Sequence, residues 1–376
     1  MILEKYNLQY KYVPILSLSP SEMGALEELP GKDKDLILPL FPLKGWVNSK
    51  KIINSLDRVE KAIGSRKWIA HIDKSFLTDN KTFVFTGKYP RDVFYELKNL
   101  LEPKNGYSNW CEFIASLPNA IPCLQLEDIN ELRLQVTRFV ALDRGLVILF
   151  DIKNISKKDY DTIINVLSSV DGKNIHFIYD LGTLNNTYAD YIPPIINLIK
   201  SNKRIFENST ISISGTSFPS SFSGYHNGEN PIYERLLYNK ANEALDDVNL
   251  IYSDRGSARI EKQNGGGGIP SPRIDYPLKN DWRFVRNEYK DSTDPKEGEK
   301  DILYQLCASE IIKQSYWQSE LFLWGTQMIA LTAKGEKYSI NSPQKATAVR
   351  INIHLYTQLH YNDDICEIDT DEDWVD

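Results

Sequence analysis

Cysteine and methionine are scarce in this sequence, and long apolar runs are missing. Its 376 residues include four cysteines, three methionines and five histidines. The cysteines lie far apart and form no CxxC pair, which favours a reduced, intracellular setting. They are Cys111, Cys123, Cys307 and Cys366. No run of about 18 uncharged apolar residues occurs, and the first five residues do not resemble a secretory leader. We therefore expect a cytoplasmic protein without a membrane span.

Familiar catalytic and metal-binding signatures are also missing. There is no GxSxG elbow and no HExxH pair, and the four glycines at 265–268 lack the Lys-Ser/Thr that follows a phosphate loop. His71 and His176 lie inside predicted strands, where satisfied interior side chains are the usual case. The sequence predicts no metal site and leaves any cofactor unknown.

The negative charge is concentrated at one end of the chain. The formal net charge is −7, yet residues 363–376 contribute eight acidic residues and no lysine or arginine. Without them, 44 basic residues face 43 acidic ones. A nearly neutral body does not support strong nucleic-acid binding, although local basic patches remain compatible with it. The acidic tail, residues 362–376, is expected to be mobile.

Short β-branched and apolar runs alternate with stretches of helical periodicity along most of the chain. This alternation is typical of successive βαβ units with a buried parallel sheet. Eight candidate strands lie at 12–16, 36–43, 68–73, 120–126, 145–151, 175–180, 210–214 and 249–253. Pro39 and Pro42 remove ladder donors from the second strand, which should be short or bulged. The pattern predicts an α/β fold, a (β/α)8 TIM-like barrel.

The pattern changes after the eighth candidate strand. Residues 255–297 contain the glycine quartet, several prolines and many charges, and they predict a long insertion over the barrel mouth. A last barrel helix is expected at 298–314. We therefore assign residues 1–314 to the barrel and 315–361 to an aromatic-rich C-terminal appendage packed on it.

Polar residues at the strand ends are the candidate catalytic groups, because sites in such barrels lie at the strand carboxyl ends. Asp151, Asp180 and Asp254 end the fifth, sixth and eighth candidate strands, and Lys44 follows the second. Converging carboxylates would suit acid/base or metal-assisted hydrolysis. Aspartate after a strand is equally a good turn or helix-capping residue, and both interpretations stay open.

A candidate ligand-binding site follows the seventh strand. Gly215, Thr216 and Ser217 combine hydroxyl groups with an accessible backbone, and Arg255 should lie close by. Phosphate sites in this fold favour the loops after strands seven and eight. The alternative is a Ser/Thr-rich turn closed by Pro219.

Four short segments of the chain form a recognisable set. They are the opening Tyr12-Val13-Pro14-Ile15-Leu16, the turn Gly215-Thr216-Ser217-Phe218-Pro219, the strand end Tyr252-Ser253-Asp254, and the stretch at 347–354 containing Arg350, Asn352 and His354. Together they resemble the Beta family of phage and prophage proteins, and the resemblance extends over about residues 12–361.

The resemblance implies a role rather than a reaction. Members of the family are encoded on phages, satellites and bacterial defence islands, and one satellite-phage version resembles part of a three-gene antiviral cassette with a growth-blocking protein. The resemblance thus implies a component of an anti-phage defence locus that acts through protein partners, restraining or licensing a toxic effector. It carries over no catalytic residue. The alternative is a barrel hydrolase acting on a phosphate-containing substrate, a nucleotide or nucleic acid.

Overall fold

A computed structural model describes residues 10–170, 174–260 and 269–363 of the chain. The glycine quartet and nearly all of the acidic tail lie outside the described residues. The strands are β1 (Tyr12–Pro14), β2 (Leu40–Leu43), β3 (Trp68–Ile72), β4 (Ala120–Pro122), β5 (Leu146–Asp151), β6 (Ile175–Thr183), β7 (Thr210–Thr216), β8 (Asn227–Pro231), β9 (Leu250–Asp254), β10 (Arg273–Pro277) and β11 (Asp281–Arg286).

Helices separate most of the strands. They are α1 (Pro20–Glu27), α2 (Gly31–Lys34), α3 (Ile53–Ile63), α4 (Lys74–Thr78), α5 (Lys81–Thr86), α6 (Asp92–Leu100), α7 (Lys104–Ala115), α8 (Leu132–Val140), α9 (Lys157–Ser168), α10 (Ile192–Ile205), α11 (Tyr233–Ala244), α12 (Glu299–Ile311), α13 (Trp324–Lys334) and α14 (Pro343–Leu359), with two 3-10 turns at Ile129–Glu131 and Tyr188–Tyr191. None of the helices in the described ranges is long and apolar enough to cross a membrane.

The parallel strands divide into two sheets. One has the order β1-β9-β7-β6-β5 and the other the order β2-β3-β4. Within the described residues, the two sheets are linked by isolated bridges, Tyr12 to Ile37, Ile15 to Leu40 and Cys123 to Val147. The predicted eight-stranded (β/α)8 TIM-like barrel is therefore wrong, since no sheet in the described part of the chain holds eight strands.

Proline explains where the ladders stop. β1 and β4 are three residues long and both end in proline, at Pro14 and Pro122, and Pro42 lies within β2. A proline has no N–H to donate, so each of these prolines leaves a gap in the backbone hydrogen bonding of its strand. The bonds that do cross the borders, such as Leu16 N–H to the Leu40 carbonyl and Leu124 N–H to the Val147 carbonyl, both at 2.9 Å, form isolated bridges rather than a continuous ladder. The sequence predicted that the second strand would be short or bulged because of its prolines, and β1, β2 and β4 are all short strands that contain a proline.

Strands of both parallel sheets share one buried apolar cluster. Its members are Val13, Ile15, Leu38, Leu40, Ile69, Ile121, Cys123, Val147, Ile178 and Ile251. Because side chains alternate along a strand, residues two apart from these members point to the same inner side. The intervening residues, such as Tyr252 in β9 and Phe150 in β5, join the larger cluster formed with the helices. The side of the strand on which a residue lies, inner or outer, therefore decides which side chains at the strand ends can contact one another.

Helix starts agree with the local sequence in several places. The Ser156 hydroxyl accepts a hydrogen bond from the Asp159 N–H and caps α9, which buries Ile163, Ile164 and Leu167 along one side. Pro193 and Pro194 occupy the first turn of α10, where missing N–H groups cost little.

The region after β9 contains two strands that the sequence did not predict. β10 and β11 form an antiparallel hairpin, and β8 pairs with β11 to complete a third sheet. This sheet shares a core with α12, α13 and α14, and the core includes Ile274, Val285, Cys307, Ile329 and Val349. Helix α12 corresponds to the last helix expected at 298–314.

Candidate functional site at the strand carboxyl ends

The three predicted aspartates do not share one environment. Asp151 and Asp180 are register partners in β5 and β6. The exposed Asp151 carboxylate accepts hydrogen bonds from the Lys153 N–H at 3.2 Å and the Asn154 amide at 2.7 Å, so it closes its own turn. The buried Asp180 carboxylate pairs with Arg255 and accepts the Gly182 N–H at 3.0 Å. The structure thus brings Asp180 and Arg255 together, as proximity of strand ends predicts.

Asp254 lies on the opposite side of its strand, away from Asp180. It shares the outer face with Tyr252, and its side chain is fully buried. Its carboxylate accepts hydrogen bonds from the hydroxyls of Tyr12 and Tyr252 and pairs with His354 Nε2 at 2.6 Å. Burial alone would raise the pKa of Asp254, but the charge and hydrogen bond of His354 and the other donors hold it below its usual value. This carboxylate anchors α14 to β9.

The inner side of the strand ends encloses a cavity of about 330 Å³, here called the strand-end cavity. It is lined by Ile15, Ser17, Glu22, Pro42, Lys44, His71, Ile72, Asp73, Lys74, Ser75, Leu149, Arg255, Ala258, Arg259 and Ile260. Of the residues predicted for catalysis or ligand binding, Lys44 and Arg255 line it. Within the described ranges, no group of three or more His, Cys, Asp or Glu side chains could hold a metal.

The local contacts of Lys44 orient its ammonium group. It donates to the Ser17 hydroxyl and lies 3.9 Å from the Asp73 carboxylate. The other Asp73 oxygen accepts the Phe76 N–H at 3.2 Å and caps α4. Glu22 accepts the Ser17 N–H at 3.0 Å, and burial raises the pKa of its carboxyl. Lys44 is therefore held between a hydroxyl and a carboxylate at the cavity wall.

His71 belongs to this cavity, although the sequence suggested a satisfied interior residue. Its buried Nδ1 has no hydrogen-bond partner within the described residues. Burial, then the charges of Lys74 and Arg255, lower its pKa to about 3, so the ring is neutral near pH 7. His71 is two residues from Ile69 in β3, and strand alternation therefore places both on the inner side. The two-residue spacing between Ile69 and His71 is the sequence signal from which the inward direction of His71 could have been predicted.

The predicted ligand-binding turn after β7 makes its contacts within the protein. The Thr216 hydroxyl donates to the Ala258 carbonyl at 2.8 Å, and the Ser217 hydroxyl bonds to Glu234. A Cβ at Gly215 would approach Leu184 Cδ1 to 2.9 Å, so the glycine serves close packing. Gly215, Thr216 and Ser217 line neither this cavity nor the one described next. Arg255, predicted with them, lies at the strand-end cavity.

A larger cavity of about 720 Å³ adjoins the first and shares Ala258 and Arg259 with it. We call it the arginine cavity. Its lining comprises Phe218, Ser220, Ser221, Phe222, Ser223, Ala258, Arg259, Ile269, Pro270, Ser271, Arg273, Asp275, Arg286, Tyr304, Pro343, Ala346, Thr347 and Arg350. Sequence reasoning missed it because β10, which supplies Arg273 and Asp275, was not predicted.

Comparison with known proteins identifies the family. The sequence profile of the Beta protein family matches residues 12–360. The chain is also 30% identical over 364 residues to Protein beta of Enterobacteria phage P4, covering 95% of each sequence. The chain therefore belongs to the Beta protein family, and the resemblance noted in its short motifs is confirmed.

Proposed function

We propose that the protein is a component of an anti-phage defence locus and acts through protein partners, restraining or licensing a toxic effector. The observation that carries the proposal is the relationship to Protein beta of phage P4 over 95% of both chains. The family profile spans residues 12–360 and so includes every helix and strand described above. Co-inherited partner proteins are the natural targets of such a component. The partner is expected to be encoded in the same locus, and no membrane contact is required.

Helix α5 offers a surface for such contact. It buries none of its residues, and Val84 and Phe85 are 66% and 84% exposed. Exposed aromatic side chains contribute strongly to protein interfaces because they bury a large area with few rotatable bonds. The neighbouring Phe83 stacks on Tyr89, which fixes the helix against the body. Phe85 therefore stands on a supported helix and faces solvent.

Co-purification with the products of neighbouring genes tests the proposal. The tagged wild type should retain one of them, and Phe85→Ser should weaken its capture. Tyr338→Ser is the matched control, because Tyr338 is 76% exposed on the connection between α13 and α14. Retention of no neighbouring product, during phage challenge or before it, would refute the partner-based role. Equal loss of capture in both variants would refute the assignment to α5.

A second candidate is a hydrolase acting on a phosphate-containing substrate, a nucleotide or nucleic acid. It is favoured by the cationic lining of the strand-end cavity, where Lys44 and Arg255 lie beside a neutral His71. Lysine and arginine stabilise the charge that develops on a transferring phosphoryl group. Of the predicted catalytic residues, Lys44 lines this cavity and Asp180 is held by Arg255. Asp151 closes its own turn and Asp254 lies on the other side of its strand, so the hydrolase candidate rests on Lys44 and Asp180.

The two candidates make opposite predictions for the same variants. Under either candidate function, Asp151→Ala and Lys44→Met should leave partner capture intact, and the candidates differ in phage protection. A hydrolase would lose phosphate release and phage protection in Lys44→Met. A binding component would keep protection in both variants, provided that their thermal unfolding matches that of the wild type.

A further inference from the structure

The arginine cavity lies where four parts of the fold meet. The loop after β7 supplies Phe218 and Phe222, the segment after β9 supplies Arg259, and the remaining charged lining comes mainly from β10 and α14. This position is distinct from the strand-end cavity, although the two adjoin at Arg259. Nothing in the proposed function uses it.

Positive charge dominates its wall. Four of the lining residues are arginines and one, Asp275, is acidic. Asp275 serves two of the arginines at once, with Arg273 at 2.8 Å and Arg350 at 2.9 Å. Among the described residues, no carboxylate lies within 4.0 Å of the Arg259 guanidinium. One buried carboxylate cannot neutralise this group of cations, so the cavity carries excess positive charge.

The arginine side chains are held in place before any ligand arrives. The Arg350 guanidinium lies 3.9 Å from the centre of the Phe218 ring, and that of Arg273 lies 3.6 Å from the centre of Phe222. Arg259 Nε donates to the Pro219 carbonyl at 2.6 Å. Stacking on aromatic rings fixes a guanidinium plane while leaving its edge N–H groups available for an anion.

Burial and neighbouring positive charges both disfavour the charged form of Arg259. Burial, then the neighbouring charges of Arg273 and Arg350, lower the pKa of Arg259 to about 10. A bound anion would relieve both effects because it would supply the missing negative charge. Oxygen-rich anions are the chemistry that a fixed guanidinium fork recognises best, since two parallel N–H groups match two oxygens of a phosphate.

Size and hydroxyl content narrow the class of ligand. A volume of about 720 Å³ falls within the range of small-molecule sites, roughly 300–1,000 Å³, and exceeds the space of a single phosphate group. Ser221, Ser223, Ser271 and Thr347 add polar groups around the arginines, and Tyr304 and Phe222 add aromatic surface. We propose that the arginine cavity binds a nucleotide-sized ligand through its phosphate groups, with Arg259, Arg273 and Arg350 as the phosphate-contacting residues.

Titration calorimetry and thermal unfolding of the full chain at about 150 mM salt would test this proposal. The probes are ATP, GTP, adenosine and inorganic triphosphate. We expect ATP or GTP to bind and to raise the unfolding temperature. Adenosine and triphosphate should each bind at least about tenfold more weakly, because one lacks the phosphates and the other leaves most of the volume unfilled. Equal binding of triphosphate and ATP would overturn the nucleotide assignment and leave an inorganic phosphate chain as the ligand.

Arg259→Gln removes the arginine that no carboxylate neutralises, and it should weaken nucleotide binding about tenfold or more. Arg286→Gln provides a second test, because Arg286 also lines the cavity but pairs with the exposed Glu288. The matched control is Arg133→Gln, an exposed arginine of α8 that donates to Ser169. Absence of binding by both nucleotides, or wild-type affinity in both cavity variants, would refute the proposal. Either result leaves the partner-based role untouched.

Discussion

Glu234 should make the stability of this protein fall as the pH rises through neutrality. It is 3% exposed at the start of α11, accepts a hydrogen bond from the Ser217 hydroxyl, and has a second carboxyl oxygen with no partner within the described residues. Burial, then the charge of Asp254, raise its pKa to about 7, above an ordinary value of 4.5. The folded protein thus prefers the protonated acid, which contributes stability below about pH 4.5. That contribution is lost as the pH rises to about 7 and beyond.

The magnitude follows from the difference between the two pKa values. One pKa unit corresponds to about 1.4 kcal/mol, so ionising Glu234 should cost the folded state roughly 3 kcal/mol at pH 8. The amide of Glu234→Gln stays neutral at every pH and can still accept the Ser217 hydrogen bond. We therefore expect the stability of the variant relative to wild type to rise by up to roughly 3 kcal/mol between pH 5 and pH 8.

Urea denaturation at several pH values measures this difference directly. Groups that titrate in both proteins cancel when the two free energies of unfolding are subtracted at each pH. Glu243→Gln is the matched control, because Glu243 is exposed on the same helix. Parallel pH profiles for the wild type and Glu234→Gln would refute the reasoning, since they would mean that Glu234 titrates alike in the folded and unfolded chains.

Three further results are expected from the described contacts. Asp254→Asn should destabilise the fold by about 1–3 kcal/mol in urea, because an amide nitrogen cannot accept the hydrogen bonds that both oxygens of this buried carboxylate receive. Exposed Asp151→Asn should change stability by about 0.5 kcal/mol or less, and equal effects would contradict the burial of Asp254. Burial lowers the pKa of His176 to about 3, so the free energy of unfolding should fall by roughly 2 kcal/mol between pH 7 and pH 5, because only the unfolded imidazole gains a proton. Calorimetry at each pH should show that His176→Asn lacks this part of the loss. Gly256→Ala should lower the unfolding temperature more than Gly224→Ala. Both glycines have a positive φ, but only at Gly256 would an added Cβ meet a neighbour, Leu16 Cδ2, at 2.5 Å. Equal shifts would show that the Leu16 side chain moves aside without cost.

Most parallel strands could be located from sequence because they are short apolar runs bounded by helical periodicity. β5, β6, β7 and β9 all fall at predicted positions. The division of the eight parallel strands into two sheets could not be predicted in the same way, because it depends on whether neighbouring strands complete a ladder of hydrogen bonds. Pro42 and Pro122 gave a local hint, but a missing donor becomes decisive only once the partner strand is known.

β8 could not be predicted from local signals. Its sequence, Asn227-Gly-Glu-Asn-Pro231, has no β-branched or aromatic residue, and it becomes a strand because β11 pairs with it. The hairpin of β10 and β11 did carry a signal, since Ile274 and Tyr276 alternate with charged residues in β10. The surrounding charges and the nearby glycine quartet obscured that pattern.

The sequence locates residues at strand ends, but it does not determine which side of the strand their side chains occupy. Lys44 and Arg255 follow strands and line the strand-end cavity. Asp254 also ends a strand, but strand alternation places it with Tyr252 on the outer side. Because β9 is buried on both faces, its composition does not reveal which side faces the cavity. The position of α14, with His354 against Asp254, decides the matter and depends on tertiary packing.

The burial of α14 has a consequence for how this chain matures during synthesis. Its Asn352 amide donates to the Ala25 carbonyl of α1 across 327 residues, and its His354 lies 2.6 Å from the Asp254 carboxylate. At ribosomal speeds of about 5–20 residues per second, the first helix must wait roughly 15–65 seconds for that partner. During this interval the nascent polypeptide leaves uncovered the apolar surface that α14 later buries with residues such as Ile351 and Leu355. Holdase chaperones should therefore engage it until translation passes α14.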